Sequence, residues 1–580
     1  MTAPAYLDVT SSITGRRWVG PDVASERRAE AIAQRTGLPL ALCQTLSARQ
    51  VEPDQTDAFL NPVLRDLLPD PMTLRDMDKA AVRLLAALQR RERIAIFADY
   101  DVDGGASAAQ LLIWLRDLGH GATLYIPDRI DEGYGPNVAA MQALGQAHDV
   151  IFCVDCGTLS HDPIAAAGCD VVVLDHHLGA ERLPPALAVV NPNRQDETGD
   201  LAHLCAAAVV FLVLVEANRR LRVQGQKGPD LMALLDLVAL ATVADVAPLI
   251  GVNRALVRQG LKVMARRERP GLRALADIAR LDSAPSTYAL GFVLGPRVNA
   301  GGRIGQADLG ARLLATADPR EADALAARLN TLNDERREIE AAVRIEALSQ
   351  AEARGLDAPL VWAAGDGWHP GVVGIVAARL KEHAHRPAVV IGFDGDDGKG
   401  SGRSVAGVDL GAAIHRLAAE GLLVKGGGHK MAAGLSLTRA QLAPAMARLA
   451  ELLARQGSGI GAAQDLTVTG LMMPGAATAD LIDQIELAGP FGSAAPAPRF
   501  AFPSVAVTAQ RMGETHLRLR IDGDAGARLE AVAFGAFDGP LGPALCDPGR
   551  RRFHLAGRLD INHWGGRARV QLRLEDAAFA

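Results

Sequence analysis

The chain has 580 residues, of which 49 % are apolar and 4 % aromatic, and its formal net charge is −6. This length predicts three or four domains, and the composition is typical of folded proteins. The longest apolar run is too short to span a membrane, six cysteines do not make a disulfide framework, and no signal peptide pattern opens the sequence, so we expect a cytoplasmic protein. This net charge argues weakly against nucleic-acid binding, because many nucleic-acid-binding proteins carry an excess of basic residues. Binding depends on local charged patches, however, which the net charge does not reveal.

Residues 1–75 are interpreted as a helical segment without chemical motifs. From Ile94, short apolar runs alternate with segments of helical length. The runs are "IAIF", "ATLYIP", "DVIFCVD", "DVVVLDHH" and "LAVVNPN". This alternation predicts an α/β domain with a parallel sheet, assigned to residues 76–317. Ligands of such sheets bind beyond the carboxyl ends of the strands, where this sequence places its acidic residues.

A long helix is predicted over 318–356, because Asp318 can cap it, Pro319 suits its first turn and Glu321 is placed as in a capping box. Such a helix would extend roughly 50 Å and bridge two domains. A second α/β domain is predicted over 357–456. Between 465 and 580, stretches such as "HLRLRID" and "RARVQLRL" alternate apolar residues with arginines, which predicts a small OB-like β-barrel with an arginine-rich outer face.

The stretch "FADYDVDGG" gathers Asp99, Asp101 and Asp103 after the first apolar run. A helix cap or a turn would explain one aspartate. Three do not fit that explanation, since alternate residues of a strand share one face and like charges there repel. The three therefore predict a hard divalent cation with oxygen ligands.

Further candidate ligands follow the later apolar runs or, for Asp245, lie inside an otherwise apolar predicted helix, "LVALATVADVAPL". They are Asp155, Asp175, His176, His177 and Asp245. Each alone is more simply explained by packing or pairing, but the set predicts a metal centre, and carboxylates with imidazoles favour Mn²⁺ or Mg²⁺ over structural zinc. Cys153 and Cys156 form a single CxxC pair, interpreted as buried cysteines in preference to a zinc or redox site.

Three glycine-rich segments are candidates for phosphate-binding loops. "LGPRVNAGGRIGQAD" carries Arg297 and Arg303 around a glycine pair, and "GKGSGRSVAG" and "KGGGHKMAAG" repeat the theme at 398–407 and 425–434. Glycine would let the backbone approach a phosphate closely, although surface turns have the same composition. In the barrel region, Trp564 in "INHWGGRAR" is either a base-stacking residue or a tryptophan that packs on a hairpin.

In their order and spacing, "DYDVDG", "VDCG", "LDHH" and "ATVADVAPL" resemble the four motifs of the DHH phosphoesterase superfamily. The resemblance implies a DHH catalytic domain in which two metal ions are held by Asp101, Asp103, Asp155, His176 and Asp245, with Asp155 bridging. It also implies that Asp99 and Asp175 bind or orient the metals and that His177 faces the substrate phosphate. The segments "GSGRS" and "GGH" resemble the DHH-associated domain. The substrate-binding residues implied or proposed are Arg297, Arg303, Ser401, Arg403, His429 and Trp564.

Nearly the whole chain, including "LNTLNDERREIE" on the bridging helix, resembles the exonuclease branch of this superfamily. The resemblance implies a metal-dependent exonuclease for single-stranded DNA that works 5′ to 3′ and releases mononucleotides in DNA repair and recombination. Its cofactors would be two Mn²⁺ or Mg²⁺ ions, and its candidate partners besides single-stranded DNA are a single-strand-binding protein and a helicase, without membrane association.

Three alternatives are kept beside this function. A phosphodiesterase for short oligonucleotides or cyclic dinucleotides would not need the barrel. A non-catalytic replication scaffold would not need the complete ligand set. An inorganic pyrophosphatase would lack the second half of the chain.

Overall fold

The computed structural model describes residues 4–128, 132–458, 465–523, 526–547, 549, 551–562 and 568–580, and the backbone of 563, 564 and 567. The chain forms two compact units. One comprises Met1–Pro69, Pro248–Arg258 and Ala462–Ala580, and the other comprises Asp70–Ala247 and Gln259–Gly461. Among the described residues, no helix is long and apolar enough to cross a membrane.

The N-terminal segment, predicted as helical, also contains a strand. Its elements are β1 (Arg17–Val19), α1 (Val23–Thr36), α2 (Leu40–Ser47), α3 (Thr56–Leu60) and α4 (Leu64–Leu67). The side chain of Asp22 caps α1 by accepting the Ser25 N–H. Trp18 of β1 is fully buried, and its indole N–H donates to Asp576 at 2.9 Å. This strand is missed from the sequence because its partners lie at the other end of the chain.

The first α/β region has the predicted parallel sheet. Its elements are α5 (Met77–Arg90), β2 (Ile94–Ala98), α6 (Val102–Asp117), β3 (Ala122–Tyr125), α7 (Val138–Ala147), β4 (Val150–Val154), α8 (His161–Ala166), β5 (Asp170–Leu174), β6 (Ala188–Val190) and α9 (Ala206–Val223). The strand order is β3-β2-β4-β5-β6, and every pairing is parallel. Every residue of β2 and β4 is buried, which accounts for their continuous apolar runs. The order reverses between β2 and β4, and a ligand site is expected at that switch point.

Helices complete this region. They are α10 (Leu235–Ala244), α11 (Gly251–Met264), α12 (Pro270–Ile278), a π-helix (Ala289–Leu294) that continues into α13 (Gly295–Ile304), α14 (Leu309–Ala315) and α15 (Pro319–Arg354). The 36 residues of α15 form the predicted long helix, and the Asp318 side chain accepts the Arg320 N–H at its start.

The prediction of a phosphate-facing loop at 294–308 is wrong, because most of this segment forms helix α13. The glycines of this helix allow neighbouring elements to pack closely against it. A Cβ on Gly302 would overlap the ring of Tyr100, and one on Gly301 would lie 3.1 Å from Leu329 of α15. A glycine pair in a helix carries the same letters as a glycine pair in a loop, and only these neighbours distinguish them.

The second α/β region has a mixed sheet. Its elements are β7 (Val361–Asp366), α16 (Pro370–Ala384), β8 (Ala388–Asp394), β9 (Asp397–Arg403), α17 (Leu410–Ala419), β10 (Lys425–His429), β11 (Ala432–Thr438) and α18 (Arg439–Arg455). The order is β10-β11-β9-β8-β7, with a parallel pairing between β7 and β8 and antiparallel pairings elsewhere. The two glycine-rich segments interpreted as loops are instead centred on strands β9 and β10. A Cβ on Gly400 would lie 2.8 Å from Ile391, and one on Gly402 would lie 2.7 Å from Leu410, so these glycines leave room for the core.

The C-terminal region is the predicted OB-like barrel. Its elements are β12 (Asp465–Thr467), β13 (Gly470–Leu471), α19 (Ala479–Glu486), β14 (Phe500–Met512), β15 (His516–Asp522), β16 (Arg528–Ala533), α20 (Leu541–Cys546), β17 (Phe553–Trp564) and β18 (Arg567–Phe579). The sheet order β14-β15-β16-β18-β17 is closed into a barrel by the pairing of β14 with β17. On β15, Leu517 and Leu519 are buried while Arg518 and Arg520 are exposed, as predicted. The strand β12 pairs in parallel with β1.

Candidate metal centre and substrate-binding cavity

The three aspartates of the first motif leave the end of β2 by different routes. Asp99 directly follows the strand and is 5 % exposed. Asp101 is the N-cap of α6, where its side chain accepts the N–H groups of Asp103 and Gly104 at 2.9 and 3.1 Å. Asp103 therefore lies in the first turn of a helix, and the expectation of three carboxylates along one strand face is wrong. They converge because the chain turns from strand to helix at the edge of the sheet.

Asp103 is held from the opposite side by α9. Its carboxylate accepts the N–H groups of Ala206 and Ala207, both at 2.7 Å, in the first turn of that helix. Burial raises the pKa of Asp103, and the charge of His176 opposes that rise. The raised pKa indicates that these contacts do not fully offset the cost of burying the charge of Asp103.

Asp155 follows β4 in a left-handed backbone conformation, with φ of 60°. It is 2 % exposed, and its Oδ1 atom has no hydrogen-bond partner. Burial, and then the charges of Asp103 and Asp101, raise the pKa of this carboxyl well above its usual range. A buried carboxylate oxygen without a partner fits a metal ligand.

The histidine pair after β5 is fixed by Asp175. This buried carboxylate accepts the backbone N–H groups of His176 and His177, and its Oδ1 lies 2.8 Å from His177 Nδ1. Burial opposes charge on His177, but the hydrogen bond and charge of Asp175 outweigh it and raise the His177 pKa to about 9. Asp175 thus orients the histidines, while His176 Nε2 points to Asp155 Oδ1 at 3.3 Å and to Asp103 Oδ2 at 3.6 Å.

Asp245 caps the C-terminal end of α10 and does not lie inside an apolar helix as expected. Its Oδ2 is 3.9 Å from His176 Nε2. Burial, followed by the charges of Asp103 and Asp101, raises the pKa of Asp245 to about 8. The helix end therefore delivers a carboxylate to a site that already holds several others.

These side chains form overlapping groups whose ligand atoms lie within 4.8 Å of one another. The groups are Asp99, Asp101 and Asp155; Asp103, His176 and Asp245; and Asp155, His176 and His177. Asp155 and His176 each belong to two groups, so a shared ligand between two ions is geometrically available. Oxygen and imidazole donors, an orphaned buried oxygen and raised carboxyl pKa values fit divalent ions such as Mn²⁺ or Mg²⁺.

Two polar residues near the centre are missed by sequence reasoning. The hydroxyl of Tyr134 donates to the Asp155 carbonyl at 3.1 Å and lies 3.2 Å from His177 Nε2. Asn191, fully buried after β6, donates to the His177 carbonyl and to the Thr158 hydroxyl, both at 2.8 Å. The "NPN" that follows the last apolar run was the available signal for Asn191, whereas Tyr134 lies in a loop without regular pattern.

The two arginines of α13 differ in their surroundings. The Nη1 of Arg303 donates to the Gly371 carbonyl at the start of α16, at 3.1 Å, and the charges of Asp101 and Asp99 act on it. Burial lowers the pKa of Arg303, and those carboxylates oppose the change. Arg297 instead donates to Asn330 of α15 at 3.0 Å and to the Val293 carbonyl at 2.8 Å, and it does not line the cavity that Arg303 lines.

A cavity of about 540 Å³ lies between Arg303 and the face of the second sheet. The predicted residues Ser401, Arg403 and His429 all line it. The Nη1 of Arg403 donates to Ser401 Oγ at 2.8 Å. Lys399 and Lys425, which were not predicted as binding residues, line the same cavity. Several cations around a glycine-rich floor fit an anionic group such as a phosphate.

On the barrel, the described face holds an exposed aromatic that the sequence reasoning did not single out. Phe534 is 57 % exposed and lines a cavity of about 360 Å³ with Arg518 and Arg569. The guanidinium of Arg573 lies 5.5 Å from the centre of its ring. The side chain of Trp564, the predicted stacking residue, lies outside the described residues.

The cysteine pair is buried, as interpreted from the sequence. Cys153 and Cys156 are 0 % and 1 % exposed, and both are free thiols. Burial raises the pKa of both, which disfavours the thiolate needed for zinc binding or redox chemistry.

Three family models match the chain. The DHH family, N-terminal domain, matches residues 93–242, the DHHA1 domain matches 357–455 and the RecJ OB domain matches 469–576. The first covers the parallel sheet and every candidate ligand except Asp245, and the second covers the second sheet and the part of the cavity that this sheet lines.

Relatives and solved structures agree with these matches. The single-stranded-DNA-specific exonuclease RecJ of Dickeya dadantii is 40 % identical over 537 residues, which are 88 % of this chain and 92 % of that protein. The crystal structure of RecJ from Thermus thermophilus in complex with Mn²⁺ has a TM-score of 0.81 at 30 % identity, covering 97 % of this chain and 79 % of that one. The Mg²⁺ complex of the same protein has a TM-score of 0.76 at 29 % identity, covering 97 % and 78 %.

Proposed function

The chain belongs to the RecJ family of the DHH superfamily and is a metal-dependent exonuclease specific for single-stranded DNA, and we propose that it digests strands from the 5′ end and releases mononucleotides. The direction rests on the family resemblance, and the observation that best supports a terminal phosphate bound beside the metal ligands is the position of Arg303. It lines the cationic cavity and is acted on by the charge of Asp101 in the metal cluster. A phosphate held in the cavity would thus be close to the next phosphodiester at the metal ligands.

The proposed ligands of two divalent ions come from several segments of the chain. They are Asp101, Asp103, Asp155, His176 and Asp245, with Asp99 as a further ligand. Ions bound there would activate a water molecule and offset the charge that develops on the phosphodiester. The protein contributes a fixed set of buried carboxylates, held by the starts of α6 and α9 and the end of α10.

His177 is proposed to face the phosphate that is cleaved. Its side chain is 46 % exposed, and its Nδ1 is held by Asp175, which leaves the other edge of the ring toward Tyr134. The hydrogen bond and charge of Asp175 raise the pKa of His177 and so favour the protonated ring, which can donate a charge-assisted hydrogen bond to a phosphate oxygen.

The cavity is proposed to bind the 5′ phosphate of the strand through Ser401, Arg403 and His429, with Arg303 on the side of the metal ligands. Arg297 and Trp564 stay predictions as substrate-binding residues. A terminal phosphate held in the cavity would place the first phosphodiester of the strand at the metal ligands, which would favour cleavage from an end.

Arg403→Ala tests the 5′ phosphate pocket. The variant should raise KM for 5′-phosphorylated strands more than for 5′-hydroxyl strands, by about 1.5–3 kcal/mol, the range for a charged hydrogen bond. Steady-state kinetics on both substrates measures the difference, and digestion of 5′- and 3′-labelled strands establishes the direction. Arg379→Ala, which removes an arginine that is 52 % exposed and paired with Glu382 in the same domain, is the matched control.

If Arg403→Ala weakens both substrates equally, Arg403 contacts the strand away from its terminus and the proposed pocket is wrong. Release of label from the 3′ end first would contradict the direction itself.

The cellular setting follows from the substrate and is equally a proposal. A single-strand exonuclease of this family would act in DNA repair and recombination in the cytoplasm, on strands supplied by a helicase and coated by a single-strand-binding protein. Reconstituted digestion of helicase-unwound DNA, with and without the single-strand-binding protein, would test both partners.

A further inference from the structure

Two exposed aromatic side chains lie on the π-helix that precedes α13. Tyr288, at the start of this helix, is 62 % exposed and Phe292 is 70 % exposed. Their ring centroids are 5.1 Å apart and their planes differ by 25°, so the rings form one stacked unit, called here the aromatic pair. Exposed apolar surface is unfavourable in water, and a clustered patch of it commonly marks a binding site.

The helix that carries the aromatic pair packs against elements that bear candidate metal ligands. This helix packs on α10, and Gly295 marks the point of contact. A Cβ on Gly295 would lie 3.3 Å from Ala244 and 3.9 Å from Val102, the residues that adjoin Asp245 and Asp101. Phe292 precedes this contact by three positions, less than one helical turn.

Three features follow one another along this continuous helix. The aromatic pair is at the N-terminal end, the contact with the neighbours of the metal ligands is at Gly295, and Arg303 is beside the cavity near the C-terminal end. At 1.5 Å per residue, Gly295 is roughly 5 Å from Phe292 and roughly 12 Å from Arg303 along the axis. A strand with its 5′ phosphate in the cavity and its scissile bond at the ligands would continue toward the aromatic pair.

We propose that Tyr288 and Phe292 stack against the unpaired nucleobases on the 3′ side of the scissile bond. The inference rests on the proposed function, because it takes the position of the 5′ phosphate from it. Every base has a π face, so stacking tolerates all sequences, as digestion of arbitrary strands requires. Bases held at this position would keep the strand bound while its terminal nucleotide leaves.

The test uses the full-length protein with Mn²⁺ and 5′-phosphorylated strands. The double variant Tyr288→Leu and Phe292→Leu removes both rings and keeps apolar side chains. It should raise KM for strands of ten or more nucleotides by about tenfold for each stacking position lost. It should leave cleavage of a 5′-phosphorylated dinucleotide unchanged. Ile345→Ala, on α15 and 68 % exposed, removes comparable apolar surface as the control and should have no effect.

Strands with abasic sugars on the 3′ side separate stacking from other contacts. With the native protein, KM for the abasic strands should exceed KM for normal strands by the same factor by which the double variant raises KM for normal strands. With the double variant, KM should be the same for abasic and normal strands. If the double substitution raises KM by the same factor on abasic strands as on normal strands, the inference is overturned. The aromatic pair would then bind a protein partner or have a structural role. An equal loss on the dinucleotide would overturn the inference as well, because the rings would then support the catalytic fold.

The affinity of Asp155→Asn protein for single strands, measured with and without the double substitution, tests this inference separately from the proposed function. If hydrolysis or its direction is assigned wrongly, the affinity of this inactive protein still depends on both the aromatic pair and the bases. If the stacking inference is wrong, that dependence is absent even when the hydrolysis assignment is correct.

Discussion

Asp155 combines a buried, orphaned Oδ1 with a left-handed backbone, a conformation that aspartate and asparagine adopt more readily than most residues. The backbone therefore turns the carboxylate toward the neighbouring aspartates despite their charge. Such local strain and electrostatic conflict are retained at a site when function requires them. At this position asparagine is a more conservative probe than alanine, because it keeps the shape and tolerates the same φ.

Asp155→Asn should fold normally and lose nearly all hydrolysis, to below about a hundredth of native turnover, because a shared metal ligand would become neutral. Turnover in saturating Mn²⁺ and the melting temperature measure the two effects. Asp162→Asn, at an exposed position of α8, is the control. Retention of more than about a tenth of native turnover would rule out a role for Asp155 in holding two ions.

The pKa of Asp245, raised from 3.8 to about 8, predicts how the metal-free protein responds to pH. Between these values the folded state holds a proton that the unfolded chain has released, so the stabilisation from this group is full below about pH 4 and is lost as pH rises toward 8. The pKa values of Asp103 and Asp155 are raised in the same direction. Divalent ions replace the protons, and their stabilising effect should therefore grow with pH.

Thermal unfolding of chelator-treated protein, with and without Mn²⁺, tests this between about pH 5 and 8.5. The increase in Tm on adding Mn²⁺ should be larger at the higher pH, and Asp245→Asn should reduce the pH dependence of the metal-free protein. A metal-induced increase in Tm that is constant over this range would contradict the assigned titration.

At the residue scale, the sequence predicts which side chains meet at the centre but not how they reach it. Asp155 and His176 are predicted as ligands because their side chains can bind metals and because they follow apolar runs. That Asp101 is a helix cap and Asp103 a helical residue depends on where β2 ends, which "FADYDVDGG" does not specify. Tyr134 reaches the site through tertiary structure alone, because the residues around it have no periodic pattern.

At the scale of elements, the packing of α13 against the first motif is sensitive to volume. A Cβ on Gly302 would overlap the ring of Tyr100, which is 6 % exposed and lies between Asp99 and Asp101. Alanine favours a helix over glycine by roughly 0.8–1.0 kcal/mol, whereas overpacking costs about 1–3 kcal/mol. The overpacking term is the larger, and the displaced ring would carry its neighbours with it.

Gly302→Ala should therefore lower the free energy of unfolding by up to about 2 kcal/mol, the difference between these terms, and reduce kcat more than tenfold. Denaturant unfolding and single-turnover kinetics measure both. The control is Gly121→Ala, where a Cβ would meet no atom within 4 Å and φ is not left-handed. An active, more stable Gly302→Ala protein would mean that Tyr100 moves without disturbing the ligands.

The prediction of elements succeeds where burial enforces a pattern. The strands β2 and β4 are buried on both faces and appear as apolar runs, and α15 is recognised by Asp318 and Pro319 at its start. It fails for β9 and β10, whose glycines resemble turns. Their strand character comes from pairing with β11, and their glycines from the side chains that pack across the sheet.

At the scale of the whole molecule, the barrel contributes charge without metal ligands. On its outer face Arg518 and Arg569 lie 4.0 and 3.3 Å from Glu530, and Arg520 lies 3.4 Å from Asp522. These acids offset part of the positive charge of the face. The arginines are more than half exposed and remain accessible to a phosphate backbone.

Replacing Arg518, Arg520 and Arg569 by alanine should weaken binding to long single strands and leave dinucleotide cleavage intact. Three lost phosphate contacts should reduce the slope of log affinity against log salt by roughly 2. Fluorescence anisotropy over a salt series measures it, with alanine at the exposed Arg27, Arg35 and Arg65 as a charge-matched control. An unchanged slope would move the binding face elsewhere on the barrel.

The division into compact units is the least predictable feature from the sequence. The period-two pattern identifies the barrel, but nothing local in residues 1–69 indicates that they pack in one unit with 462–580. Pairing between distant segments leaves no periodic trace, since β1 is a strand of three residues whose partner is β12. The predicted boundaries between domains stay predictions.

The distance between β1 and β12 along the chain has a consequence for biosynthesis. Arg17 and its partner Asp465 are 448 positions apart, and Trp18 and Asp576 are 558 positions apart. At about 5–20 residues per second, the ribosome needs on the order of a minute to make the partners of the first strand. The candidate ligands up to Asp245 emerge well before then, so the candidate metal centre can assemble on a nascent chain whose first strand still lacks its partners and is open to proteases and chaperones.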